Sequence, residues 1–162
     1  MIRVQREDFD IGAEIAALTE GNHAIGGVAS FTGLVRDMAG NAGIGAMTLE
    51  HYPGMTEKAL ARIEAEAQER WPLQASLIIH RYGRLEPGDR IVLVVTASAH
   101  RQAAFESAMF LMDYLKTQAP FWKLEETGEG AHWVDARESD DQALDRWAPK
   151  AGPLGGKADA AE

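Results

Sequence analysis

Two lysines seven residues apart, Lys116 and Lys123, bracket the segment KTQAPFWK, and a His-Arg pair stands at 100 and 101. Amines, an imidazole and a guanidinium suit an anionic ligand such as a phosphate or carboxylate. Lys116 falls in the last turn of a long helix that Pro120 ends, since proline donates no backbone hydrogen bond and clashes with the preceding turn. An unbroken helix puts residues seven apart on one face, so here the break must redirect Lys123. If both ammonium groups converge with Arg101, repulsion and desolvation lower a lysine pKa, and that lysine can serve as base, acid or nucleophile near neutral pH. The same spacing also fits a lysine complementing the helix dipole followed by an exposed loop lysine. His100-Arg101 sits where an apolar strand meets a helix, a place where free N–H groups attract anions; a solvated cap is the structural alternative. Arg36 ends a glycine-rich strand, where it could close over a bound anion or simply be solvated. His80-Arg81 repeats the dipeptide, but it leads into an acidic turn and reads as structural.

Composition narrows the chemistry. The 162 residues are 46% hydrophobic and 25% charged with a formal net charge of −9, which fits one soluble globular domain and disfavours nucleic-acid and polybasic membrane-surface binding. With no cysteine there is no thiolate nucleophile, persulfide relay, zinc-thiolate site or iron–sulfur cluster, so any sulfur handled must arrive on another molecule. His23, His51 and His132 lack metal-ligand spacing, and no GxGxxG, P-loop or GxSxG element occurs; neither metal nor cofactor is expected. No apolar run suffices to span a bilayer and the first residues lack a secretory core, so a cytoplasmic protein is expected.

The elements that must position these groups follow from periodicity. Strands are expected near 2–5, 26–36, 46–52, 74–83, 90–99 and 132–136. Helices are expected near 11–19, capped by Asp10, near 56–70, near 102–117, and from a Ser139-x-x-Gln142 capping box to Trp147. Residues 37–45, with three glycines, read as a mobile loop, and Phe105, Ala108, Met109, Met112 and Leu115 trace a helical stripe expected to pack in the core. Strands and helices mix without regular βαβ alternation, which favours α+β over a doubly wound sheet. Residues 1–147 form the expected domain, and 148–162, rich in Pro, Gly and Ala, a disordered tail.

Six segments, SFTGLVRD (30–37), LEHYPGMTEKAL (49–60), IIHRYGRLEPGD (78–89), SAHRQAAFE (98–106), MDYLKTQAPFWKLE (112–125) and WVDARESD (133–140), resemble the large, catalytic subunit of molybdopterin synthase. They stand in that family's order. The resemblance implies an α+β fold of α/β-hammerhead type, with a mixed or antiparallel sheet and flanking helices. It implies a homodimer that binds a small ubiquitin-like sulfur carrier at each outer end, making a heterotetramer. In that family the carrier's C-terminal Gly-Gly thiocarboxylate delivers two sulfurs in succession to cyclic pyranopterin monophosphate, giving molybdopterin. Position by position, the resemblance makes Lys116 and Lys123 catalytic. It assigns substrate contacts to both lysines and to Leu34, Val35, Arg36, His100, Arg101, Leu124 and Glu125, with Arg36 and Arg101 taking the phosphate charge. A noncatalytic module for a phosphorylated ligand and a scaffold for a ubiquitin-like partner are the competing readings.

Overall fold

A computed structural model of the chain describes residues 1–39, 42–134 and 138–148. The expected tail therefore lies, apart from Ala148, outside the described residues. In chain order the elements are β1 (Ile2–Gln5), α1 (Ile11–Thr19), β2 (Gly27–Leu34), β3 (Met38–Ala39), β4 (Ala42–His51), α2 (Met55–Arg70), β5 (Leu73–Arg81), β6 (Gly83–Leu85), β7 (Arg90–Ser98), α3 (Arg101–Gln118), β8 (Phe121–Thr127), β9 (Gly130–Val134), α4 (Glu138–Leu144) and a 3-10 turn at Asp145–Trp147. The fold is α+β, as expected from the sequence.

A first sheet runs β1-β5-β7-β2, with β1 parallel to β5 and the other pairs antiparallel. The continuous apolar run of β7 is explained by helices on both faces. Val92 and Val94 join Ile78, Leu60, Ile63, Phe110, Leu111 and Leu115 under α2 and α3, while Leu93 and Val95 join Leu77, Ile79 and Phe9 against α1. Asp10 caps α1 by accepting the Ala13 N–H at 2.8 Å.

The expected core stripe of α3 is corrected at Phe105 and Met109, while Ala108 and Leu115 are buried as expected and Met112 packs on the core. Phe105 and Met109 are 65% and 51% exposed, and the buried face runs through Ala104, Ala108, Leu111 and Leu115. Ala104 and Ala108 pack on Ala29 of β2, so small side chains let the helix approach the sheet and the bulky residues turn outward.

A second, antiparallel sheet runs β3-β4-β8-β9, with β6 also on β4. Here two expectations change. The 37–45 segment is no simple loop: Met38 and Ala39 pair with Gly43 and Ala42, so β4 begins at Ala42 rather than at 46. Residues 121–127, in which the sequence suggested no element, form β8, the strand between β4 and β9. The last helix begins at Glu138, which puts Ser139 inside it rather than at its cap.

Two substitutions test this packing. A Cβ on Gly26 would lie 2.2 Å from the Ala99 carbonyl oxygen, so Gly26→Ala must displace backbone at the β7–α3 corner. We expect it to lower unfolding free energy by about 1–3 kcal/mol, and Leu111→Ala by about 2–5 kcal/mol, in urea titrations. A Leu111→Ala cost below about 1 kcal/mol would contradict the assigned helix face.

Candidate active site

The C-terminus of α3 meets the junction of the two sheets, and there a cleft of about 760 Å³ opens. Helical spacing brings Met112, Leu115, Lys116 and Ala119 to it from α3, and strand alternation brings Phe121, Lys123 and Glu125 from β8. Leu34 and Arg36 enter from the end of β2, His80 from β5 and Asp140 from α4. The two lysines thus share one cavity because the chain turns from helix to strand at Ala119-Pro120.

The charges are arranged unequally. Glu125 is only 7% exposed and lies 3.5 Å from the Lys123 ammonium through Oε1, while His132 Nε2 stands 4.0 Å from Oε2. Lys123 is therefore tethered at the cleft wall. Lys116 and Arg36 are exposed and form no salt bridge among the described residues, which leaves their cationic groups available to a ligand.

The remaining expected site residues go elsewhere. Val35 is 3% exposed in a core with Met47, Leu49 and Leu85, its N–H donating to the Asp89 carbonyl at 2.9 Å. Leu124 is opposite Thr48 and Trp133 in the sheet, on the face of β8 turned from the cleft. His100 and Arg101 are exposed at the N-terminus of α3, where Gly26 and Gly27 allow close approach of the β2 backbone. Fifteen residues at about 1.5 Å each put Arg101 roughly 22 Å along the helix from Lys116, so Arg101 does not converge with the lysines inside one chain.

The sequence reading missed His80 as a cleft residue. Its ring stacks on Phe121 with centroids 3.7 Å apart, and Nδ1 lies 2.8 Å from the Arg81 carbonyl oxygen. Burial pushes its pKa down to about 4, helped by His51 and opposed by the bond to Arg81. One signal was legible: period-two alternation places His80 on the same face of β5 as Ile78, the face that α3 covers.

The α+β scaffold thus gathers three cations, Arg36, Lys116 and Lys123, and two carboxylates, Glu125 and Asp140, in one cleft between two sheets. The family profile described as "MoaE protein" matches residues 4–118. A molybdopterin synthase catalytic subunit of Mesorhizobium japonicum is 60% identical over 148 residues, covering 90% of this chain and 92% of the relative. A solved structure described as the molybdopterin biosynthesis MoaE protein of Burkholderia ambifaria superposes with a TM-score of 0.80 at 56% identity, covering 93% of this chain and 99% of that one. The fold is also shared with a Helicobacter pylori chain from a complex of subunits 1 and 2 of molybdopterin-converting factor, at TM-score 0.69 and 20% identity, with 84% of this chain and 91% of that one covered. This chain belongs to the MoaE family.

The depressed His80 pKa makes a pH prediction. Below pH 6.5 the unfolded chain protonates this imidazole while the native state, at about 4, does not. Stability from His80 is therefore full above pH 6.5 and is lost as pH falls toward 4, by on the order of 3 kcal/mol. His80→Gln should flatten that slope between pH 6.5 and 4 in denaturant titrations. An unchanged slope would place the ring in water.

Proposed function

We propose that this chain is the catalytic subunit of a molybdopterin synthase. It converts cyclic pyranopterin monophosphate to molybdopterin with two sulfurs taken in succession from the C-terminal thiocarboxylate of a small ubiquitin-like carrier. The observation that carries the reading is the meeting of Arg36, Lys116 and Lys123 in one cleft, in a chain 60% identical to a catalytic subunit of that enzyme. The absence of cysteine agrees with it, since sulfur must come from a partner.

In this reading the carrier tail reaches Lys116, which like Arg36 has no carboxylate partner among the described residues, and the pterin lies against Lys123 and Arg36. For each sulfur, the C–S bond of the thiocarboxylate breaks and a C–S bond to a pterin side-chain carbon forms as a C–O bond at that carbon breaks, its oxygen leaving as water or remaining on the phosphate; the carrier departs as a carboxylate whose new oxygen comes from water. Lys116 serves this either by moving a proton or by taking the acyl group before water releases it. Glu125 positions Lys123 by fixing its ammonium at the wall. Leu34 is 52% exposed at the cleft and supplies apolar contact to the ligand. Leu124 and Val35 act through backbone placement.

His100 and Arg101 enter from a second copy. Their distance from Lys116 within one chain supports a homodimer in which each copy completes the other's cleft, with one carrier at each outer end. The 1–147 region carries the reaction in the cytoplasm and 148–162 is dispensable; among the described residues no helix is long and apolar enough to cross a membrane.

Purified protein mixed with thiocarboxylated carrier and the cyclic pterin precursor should form the dithiolene. Ligand binding without product would instead indicate a binding module, and carrier binding alone a scaffold. Lys116→Ala should abolish product while leaving the dimer and carrier binding intact, because an exposed lysine contributes little to folding. Arg101→Ala should weaken pterin binding about 10- to 100-fold. At a pterin concentration too low to support turnover by Arg101→Ala alone, mixing the two variants should restore about a quarter of wild-type turnover, because half of the reassorted dimers then hold one intact site. No recovery on mixing, with subunit exchange verified, would place Arg101 in the cleft of its own chain.

A further inference from the structure

We propose that His80 is a substrate-binding residue: its unprotonated Nε2 accepts a hydrogen bond from an N–H or O–H group of the ligand held in the cleft. The identity of that ligand as a pterin rests on the function proposed above. The tautomer follows from geometry, since the Arg81 carbonyl 2.8 Å away can only accept and Nδ1 must carry the ring proton. A neutral imidazole has one N–H, so Nε2 is a lone-pair acceptor.

Nε2 has no partner among the described residues, and it is not one of their enclosed unpaired atoms, of which Arg3 Nε is the single case. His80 lines the cleft, so the proposed contact is made from that cavity. The ring is held in place by the stack on Phe121 and by backbone pairing of β5 with both β1 and β7. Its neighbours in the cavity offer other chemistry: Arg36, Lys116 and Lys123 only donate, and the Glu125 and Asp140 carboxylates repel an anion. A neutral acceptor is what can read the N–H groups of a fused heterocycle without opposing its phosphate.

Two substitutions separate this role from a structural one. His80→Asn keeps a donor near the Nδ1 position, for the Arg81 carbonyl, and removes the acceptor. His80→Gln keeps an acceptor near the Nε2 position and loses the Nδ1 contact. Calorimetric titration with the cyclic pterin phosphate should show His80→Asn weakened about tenfold and His80→Gln weakened less. The reverse order, or three equal affinities, would overturn the proposal. Should either variant fail to fold, ¹⁵N spectra of the wild-type protein decide: the Nε2 resonance, that of an unprotonated ring nitrogen, moves when the pterin is added, and a stationary resonance refutes the contact. Wild-type protein that binds the pterin but yields no dithiolene with thiocarboxylated carrier would sink the synthase reading and leave the His80 contact standing.

Discussion

Proline at position 120 forces the geometry on which the site depends. It cannot continue α3, so Ala119 turns to an extended conformation and the Phe121 N–H donates back to the Ala119 carbonyl at 2.9 Å. The chain passes from a period of 3.6 residues to a period of two within three positions. Lys116 is set by the first period and Lys123 by the second, and the two meet across a cleft that neither period alone would build. The residue types at 121 and 125 complete the arrangement. Phe121 anchors the start of β8 on His80 of the first sheet, and Glu125 fixes the ammonium between them in sequence.

That anchoring joins two sheets that share no ladder. The first sheet is a helix-covered core, and the second reaches it through Val35, Met47, Leu49 and Leu85, with Ile91 packed alongside. Val35 is thus central to the site without touching it: the hydrogen bonds from Val35 to Asp89 and from Gly88 to Val35 clamp the exit of β2, and Arg36 is presented from the clamp. A buried residue beside an exposed cation gives the cation a fixed origin.

The sequence was legible where one physical signal dominated. Asp10 as a cap, the apolar run of β7, and the stops at Pro120 and at the Glu86–Asp89 turn each follow from a local rule, and each lies where expected. β8 was not legible because its cleft face carries Lys123 and Glu125 and its other face carries Trp122 and Leu124, an inversion of the usual apolar-inside alternation. Phe105 and Met109 misled for a related reason. Helical spacing shows that residues share a stripe but not which stripe faces inward, and on α3 the alanines next to Ala29 decide that. Type and spacing made Lys116, Lys123 and Arg36 candidates beside solvated alternatives and the family resemblance selected them, whereas His80 read as structural, and a buried ring that also lines a cavity has the same sequence pattern as one that does not.

In the proposed dimer, charge gives a reason for a site shared between two copies. The cleft holds the cations Arg36, Lys116 and Lys123 against the carboxylates Glu125 and Asp140, with His80 neutral, inside a protein whose formal net charge is −9. Such a lining is close to balanced, and a pterin phosphate together with a carrier thiocarboxylate brings at least two negative charges to it. Screening at physiological salt acts over about 8 Å, so the acidic surface is felt weakly in the cleft, but cations roughly 22 Å distant give no help either. Arg101, on its own chain, is one of those. Under the proposed function, a second copy carrying His100 and Arg101 to the cleft would add positive charge where two anions must be held together. It would also make that charge conditional on assembly, so that an unpaired chain would lack part of the attraction that a loaded carrier and its acceptor require.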